Sequence, residues 1–127
     1  MQWIILIGDE KLTLERIKSI DHTESVSCHY VENDSYCVDY GMDHIIYRLY
    51  EDIINDYEED ELDILKKLPF KIIKFIIMKY TSKERMKKVI QQENFLKNIY
   101  VDNDHWLITP IDEFIRLGCP TERAKDG

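Results

Sequence analysis

The sequence predicts an α/β fold: one small domain with a mixed β-sheet and helices on the faces of the sheet. Short apolar runs suited to buried strands alternate with segments whose apolar residues recur at helical spacing. The chain has 127 residues, which is enough for one domain with its own core. Residues 70–104 read as a strand, a helix and a returning strand, and this order predicts a βαβ unit with parallel strands.

The first strand of that unit is Lys74–Tyr80, an isoleucine-rich run that is typical of a buried strand. Thr81 and Glu84 have the spacing of a capping box, so we expect a helix to begin there. Apolar residues at helical spacing continue to position 90, and the returning strand is expected at 99–102.

The N-terminal third predicts a strand, a helix and a hairpin. The apolar run Trp3–Ile7 is expected to form a buried strand, and Glu10–Ile20 an amphipathic helix with Asp9 as its N-cap. Two β-rich runs, Val26–Glu32 and Ser35–Tyr40, flank an Asn-Asp pair that tolerates a tight turn. They predict an antiparallel hairpin.

The segment after this hairpin supports two interpretations. Apolar and aromatic residues recur with a step of about four from Ile45 to Tyr57, which favours one helix. The alternative is a strand from Ile45 to Tyr50 with a helix beginning near Asp52, because isoleucine and tyrosine also favour sheets. The helix is our prediction. A second helix is expected over Glu58–Leu68 and is ended by Pro69.

The C-terminal region predicts a turn at 102–105, a short apolar run at 106–108 and a helix after it. Thr109 is expected to cap that helix, with Pro110 at its first position and Gly118 at its end. Residues 1–118 therefore form the predicted domain. Residues 119–127 have no apolar pattern and are expected to fray.

Charge is distributed unevenly along the chain. The net charge is −8, which argues against direct binding of nucleic acid, because phosphate is bound by clustered lysine and arginine. Residues 21–65 contain fourteen acidic residues and one basic residue, whereas 66–97 contain ten basic and two acidic residues. An acidic region of this kind predicts a field that attracts a basic partner.

Other features predict a cytoplasmic protein that is not bound to a membrane. The N-terminus has no pattern of a signal peptide, and the apolar runs are far shorter than the ~20 residues of a membrane span. Three cysteines at no metal-like spacing suit a reducing compartment. The many isoleucines and lysines, with a single alanine, are typical of an A/T-rich bacterial genome.

The sequence shows no pattern of catalytic machinery, so we predict neither an enzyme nor a cofactor. The four histidines are scattered and do not have the paired spacing of a zinc site. Four isolated glycines cannot form a phosphate-binding loop. No cysteine or serine stands in a recognisable nucleophile motif.

Two short segments resemble the receiver domains of bacterial response regulators. Residues 4–10, an apolar strand ending in Gly-Asp-Glu before a helix, are similar to the first strand and acidic pair of that family. Residues 76–84 are similar to its fourth strand and the hydroxyl residue after it. The resemblance implies that Asp9 and Glu10 are the magnesium-side acids, Thr81 the switch hydroxyl and Asp39 the nearest candidate for the phosphate acceptor. Where that family has a lysine before a proline, this chain has Thr109.

Six of the eight tyrosines lie inside the acidic region, and tyrosine often carries the binding energy of protein interfaces. We therefore predict a non-enzymatic binding module, an immunity or antitoxin-type inhibitor whose acidic, tyrosine-rich surface binds a basic protein such as a toxin or a nuclease. The candidate contacts are Asp39, Tyr40, Asp43, Tyr47, Glu51, Asp52 and Asp56. One alternative is a degenerate receiver-like phosphoacceptor. Another is a self-associating subunit, a homodimer included, in which the basic region of one copy pairs with the acidic region of a second.

Overall fold

The protein has an α/β fold, a seven-stranded β-sheet with helices on both faces. The computed structural model describes residues 2–104 and 107–121, apart from the side chain of Ile54. Its strands are β1 (Gln2–Gly8), β2 (Ser27–Glu32), β3 (Ser35–Asp39), β4 (His44–Leu49), β5 (Lys74–Tyr80), β6 (Tyr100–Asp102) and β7 (Ile108–Pro110). Its helices are α1 (Leu14–Lys18), a 3₁₀ helix (Glu51–Asp56), α2 (Glu59–Lys66), α3 (Lys83–Ile90) and α4 (Ile111–Arg116). No helix in the described part of the chain is long and apolar enough to cross a membrane.

The sheet has the order β2-β3-β4-β5-β1-β6-β7, and each neighbouring pair is antiparallel. The predicted βαβ unit is present as β5-α3-β6, and its two strands are parallel to each other. They are not neighbours, because β1 lies between them and is antiparallel to both. Local apolar patterns predicted β5 and β6 but could not show that the first strand of the chain lies between them.

The two faces of the sheet carry two cores of unequal size. The larger core lies on the face that we call the major face, where Ile4, Leu6 and Met78 pack against α1, α3 and α4. The smaller core lies on the minor face, where Ile5 and Phe75 pack under the 3₁₀ helix and α2. Alternation along β1 and β5 sends neighbouring residues to opposite faces, so both strands contribute buried residues to both cores.

A buried histidine joins the major core to the sheet. His22 is 3% exposed, and its Nδ1 lies 3.1 Å from the carbonyl oxygen of Ile20. Because a carbonyl only accepts hydrogen bonds, Nδ1 carries the proton and Nε2 accepts from the Tyr47 hydroxyl at 2.9 Å. Burial lowers the pKa of His22, while the Ile20 carbonyl and Asp21 oppose that shift. The neutral ring is therefore the form that fits this core.

Two helix starts differ from the prediction. The first helix begins at Leu14, with Thr13 as its N-cap, because the Asp9 carboxylate instead accepts the Lys11 N–H in a tight turn. The third helix is capped by Ser82, which accepts the Arg85 N–H. Thr81 is not the cap, because its hydroxyl bonds the backbone of His44 in the neighbouring strand.

The predicted helix from Ile45 to Tyr57 is wrong, and the alternative is confirmed in its main features. Residues 44–49 form β4, which pairs with β3 and β5, and a 3₁₀ helix follows at 51–56. Residues four apart lie on one face of a helix, and they also lie on one face of a strand. The pattern therefore fits both structures, and pairing between β3 and β5 selects the strand. The hairpin of β2 and β3 is confirmed, as is the helix before Pro69.

The end of the described chain is packed, in contrast to the prediction that it frays from residue 119. Cys119 is 0% exposed and Thr121 is 7% exposed. The Cys119 N–H donates to the carbonyl of Phe114, which closes α4. Pro110 rather than Thr109 stands at the N-cap of that helix, which begins directly after β7. His105, Trp106 and residues 122–127, on which parts of the predictions fall, lie outside the described residues.

Candidate functional site

The seven predicted contact residues do not form one surface. Asp39, Tyr40 and Asp43 lie at the turn between β3 and β4, and Tyr47 lies within β4. The remaining three lie in the 3₁₀ helix that follows β4: Glu51, Asp52 and Asp56. The two groups are therefore at opposite ends of a six-residue strand, about 17–20 Å apart at ~3.4 Å per residue.

The group at the turn is engaged within the fold. The Asp39 carboxylate accepts the N–H of Gly41 at 2.7 Å, and Gly41 has a φ of +90°. Asp43 forms an ion pair with Arg85 at 3.0 Å, in which both side chains are at most 20% exposed. The same guanidinium lies 4.1 Å from the ring centre of Tyr40, which is 7% exposed. These contacts tie α3 to the turn and leave little of this group for a partner.

The prediction that Tyr47 is exposed for contact is wrong. Its side chain is 0% exposed and hydrogen-bonds His22 inside the major core. A helix over residues 45–57 would turn Tyr47 away from the Ile46/Leu49/Ile53 stripe, whereas in a strand it shares the inward face with Ile45. Tyr40, which directly follows β3, is buried in the same core, so neither tyrosine is available to a partner.

The group in the 3₁₀ helix is exposed and belongs to a larger feature, which we call the acidic ridge. It consists of the eight carboxylates of Glu51, Asp52, Asp56, Glu58, Glu59, Asp60, Glu61 and Asp63. Seven of them are exposed and Glu61 is half-buried. Residues 51–65 contain no lysine or arginine, so the carboxylates have no neutralising neighbour within this stretch. The ridge is held by Ile53 and Leu65, which are buried in the minor core.

A basic helix, α3, lies on the side of the sheet opposite the ridge. Helix α3 contains Lys83, Arg85, Lys87 and Lys88 against a single acid, Glu84. Its buried residues belong to the major core, whereas the ridge covers the minor core. The acidic ridge and the basic helix α3 therefore lie on opposite sides of the sheet.

An open cavity of about 320 Å³ lies on the minor face, beside the ridge, and we call it the aromatic cleft. Its rings are those of Trp3, Tyr50 and Tyr57, and its aliphatic side chains are those of Ile5, Ile53 and Ile77. Trp3 is 43% exposed, although the residues that follow it in β1, Ile4–Gly8, are buried. The volume lies within the range of ordinary ligand pockets.

Charged groups of both signs line the aromatic cleft. The cations are Arg48 of β4 and Lys79 of β5. The acids are Asp56 and Glu61 of the ridge and Asp104, which follows β6. In the sheet, β5 and β1 lie between β4 and β6, so Arg48 and Asp104 lie at opposite ends of the cleft.

A buried carboxylate, that of Asp102, lies next to the acidic end of the cleft. Asp102 is 3% exposed, and it accepts the Tyr57 hydroxyl at 2.8 Å and the Asp104 N–H at 2.7 Å. Burial raises the pKa of Asp102, while these two hydrogen bonds oppose the rise. Burial and the neighbouring Asp102 also raise the pKa of Tyr57, so this hydroxyl remains a donor. The pair fixes the Tyr57 ring at the wall of the cleft.

The residues implied by the receiver-like segments do not come together. Because β1 and β5 are antiparallel, Asp9 and Glu10 follow one end of the pair and Thr81 follows the other. The strands have seven residues, so these groups are about 20 Å apart. Asp39 lies at the same edge as Thr81, one strand away. In a parallel sheet the carboxyl ends of the strands would all meet at one edge.

Among residues 2–104 and 107–121, no group of three histidine, cysteine or acidic side chains could hold a metal ion. Comparison with known proteins found no match for this chain among family models, curated proteins or solved structures. The geometry of the ridge and the cleft therefore provides the basis for a functional proposal.

The sequence predicts three of the eight ridge carboxylates as contacts, Glu51, Asp52 and Asp56, but it does not predict the cleft. The sequence predicts Trp3 and Lys79 in two separate buried strands. Only the pairing of β1 with β5 makes them direct neighbours on the minor face. One signal was present: charged side chains at Arg48 and Lys79 within apolar strand patterns indicate positions where a sheet face is open.

Proposed function

We propose that the protein is a non-enzymatic binding module, an inhibitor of the immunity or antitoxin type that binds a basic protein. The acidic ridge supports this proposal: eight carboxylates on two consecutive short helices, seven of them exposed. Glu51, Asp52 and Asp56 of the predicted contacts belong to it. The turn group and Tyr47 are not part of the proposed contact surface.

The ridge has the properties that electrostatic recognition of a protein requires. A concentrated negative field accelerates encounter with a cationic partner and orients it, and this effect weakens with salt. The basic active-site cleft of a nuclease is one such partner, because carboxylates can take the place of phosphates there; barnase and barstar are the standard example of this electrostatic steering. The buried anchors Ile53 and Leu65 hold the helices in place, so little ordering is needed on binding.

Aromatic side chains at the border of the ridge add contact area. Tyr50 and Tyr57 are half-buried, and the Tyr50 hydroxyl lies 3.4 Å from the Asp56 carboxylate. Tyrosines at such a border provide rigid surface with a polar end, a combination that is enriched at the centres of interfaces. The acids would then set the rate and orientation of binding, and the rings would contribute to affinity.

The experiment compares capture from the native cell lysate by the wild type and two variants of equal net charge. The ridge variant is Glu51→Gln/Asp52→Asn/Asp56→Asn. The control removes three exposed acids elsewhere, Glu10→Gln/Glu93→Gln/Asp112→Asn. Captured proteins are identified, purified and titrated against all three forms at low and physiological salt.

The proposal predicts one basic protein that binds the wild type and the control, with at least tenfold weaker affinity for the ridge variant. The difference should narrow as salt rises. An equal loss of affinity in both variants would show that binding depends on net charge and not on the ridge. Equal affinity of all three forms would show that the ridge does not contact the partner. Inhibition of the partner's own activity, restored by the ridge substitutions, distinguishes an inhibitor from a passive binder.

A further inference from the structure

The aromatic cleft is a site that partner capture by the ridge does not explain. We propose that the aromatic cleft binds a small dipolar ligand of the basic amino-acid class, with its cation towards Asp104 and Glu61 and its carboxylate towards Lys79 and Arg48. This proposal does not depend on the proposed function, although the cleft shares Glu61 and Asp56 with the ridge.

The acidic end has the composition that recognises an organic cation. Asp104 is exposed, and Glu61 lines the cleft together with the Tyr57 ring, which Asp102 holds in place. One oxygen of Glu61 accepts the N–H of Glu58, so its carboxylate is fixed at the start of α2. Carboxylates that converge beside aromatic rings stabilise guanidinium and ammonium groups through charge and through the ring face. The ridge adds a negative field around this opening and disfavours a ligand that is only anionic.

The basic end supplies the counterpart for an anionic group. Lys79 is half-buried and forms no ion pair with any described residue, which is uncommon for a lysine held in a central strand. Arg48 is 3.8 Å from Asp34, but both side chains are more than 40% exposed, so this pair is weak. Both cations can therefore be shared with a ligand carboxylate.

The register sets the length of the ligand. Arg48, Ile77, Ile5 and Asp102 are paired in succession across four neighbouring strands. Three strand spacings of ~4.8 Å place Arg48 about 14 Å at the backbone from Asp102, which is two residues before Asp104. Because the charged side chains extend into this gap, it suits a molecule of amino-acid size with an aliphatic centre over the two isoleucines. The 43% exposure of Trp3 at the border leaves an indole face open to such a ligand.

Trp3 also provides the signal for the test. The chain has two tryptophans, so Trp106→Phe leaves Trp3 as the sole indole fluorophore. In that background the protein is titrated with L-arginine, with agmatine, which lacks the carboxylate, and with hexanoate, which lacks the cation. We expect saturable changes in Trp3 emission for arginine, weaker binding of agmatine and none of hexanoate.

Substitutions at the two ends separate the two contributions. Lys79→Gln should weaken arginine binding about tenfold or more and leave agmatine unchanged, because a charge-assisted contact of ~1.5–3 kcal/mol is lost only for the carboxylate. Asp104→Asn should weaken both ligands. Lys88→Gln, an exposed lysine of α3 on the major face, is the matched control and should change neither.

Several outcomes would overturn the proposal: no saturable signal for arginine up to about 10 mM, hexanoate binding as tightly as arginine, or equal binding by Lys79→Gln and wild type. The variant Glu51→Gln/Asp52→Asn, which does not touch the cleft lining, keeps this test separate from partner capture. It should lose affinity for the basic partner and retain arginine. Failure of one proposal would therefore leave the other intact.

Discussion

The hydrogen bond between Tyr57 and Asp102 yields the most detailed stability prediction. Tyr57→Phe removes the hydroxyl that donates at 2.8 Å to a carboxylate only 3% exposed. A hydrogen bond to a charged group contributes ~1.5–3 kcal/mol. A loss of about 2 kcal/mol in a chain of 127 residues, at ~2.1 cal/mol/K per residue, lowers Tm by about 7 °C.

The pH dependence of that loss tests its cause. Burial raises the pKa of Asp102 above its ordinary value of 3.8, so its contribution to stability is full below 3.8 and is lost as pH rises through the folded pKa. Removing the Tyr57 donor raises the folded pKa further. The difference in free energy of unfolding between wild type and Tyr57→Phe should therefore grow between about pH 4 and pH 7, with a slope of at most ~1.4 kcal/mol per pH unit.

Urea titrations across this range measure the difference directly. Tyr30→Phe is the control, because Tyr30 is 41% exposed on the edge strand and the substitution should change stability by less than ~0.5 kcal/mol. A Tyr57→Phe loss of the same size at pH 4 and pH 7 would refute the role of the ionised Asp102. So would additive effects of Tyr57→Phe and Asp102→Asn in the double variant.

Further predictions concern the major core and its border. Burial lowers the pKa of His22, so its contribution to the free energy of unfolding should be complete above pH 6.5 and be lost as the pH falls. Urea titrations from about pH 7 to 5 should show a shallower loss of stability for His22→Gln than for the wild type. The control His29→Gln, at an exposed position of the edge strand, should follow the wild-type curve. Tyr47→Phe leaves the His22 Nε2 atom without its donor and should cost ~1–3 kcal/mol at pH 7, whereas a loss below ~0.5 kcal/mol would contradict the assigned tautomer. Arg85→Met should cost ~1–2 kcal/mol, and its combination with Asp43→Asn should cost less than the sum, as measured by thermal unfolding of the four forms.

Local pattern was sufficient to locate most strands. Apolar runs at 3–7 and 74–80 became β1 and β5, because a strand in the centre of a sheet must be apolar on both faces. The pattern at Ile45–Tyr57 failed, since the same residues satisfy a step of two and a step of four and only the pairing with β3 and β5 distinguishes them. Thr81 failed as a cap for a related reason: a contact with His44 in another strand competes for its hydroxyl.

In the candidate site, too, some features could be predicted from the sequence and others could not. Exposure of Glu51, Asp52 and Asp56 could be predicted, because unpaired carboxylates in a run remain in water. Burial of Tyr47 could not, because tyrosine is found inside and outside proteins and its partner His22 is distant in sequence. The cleft depends on register between strands far apart in the chain, which no local pattern contains.

The position of β1 has a consequence for how the chain folds as it is synthesised. The ribosome makes β1 before either of its neighbours, and Ile5 pairs with Ile77 on one side and with Asp102 on the other. Until those residues emerge, an isoleucine-rich segment with two open edges has no native partner. Such long-range pairing slows folding, because loop closure must precede the contacts that compensate for it. β1 therefore acquires its complete native pairing only after residue 102 has been synthesised.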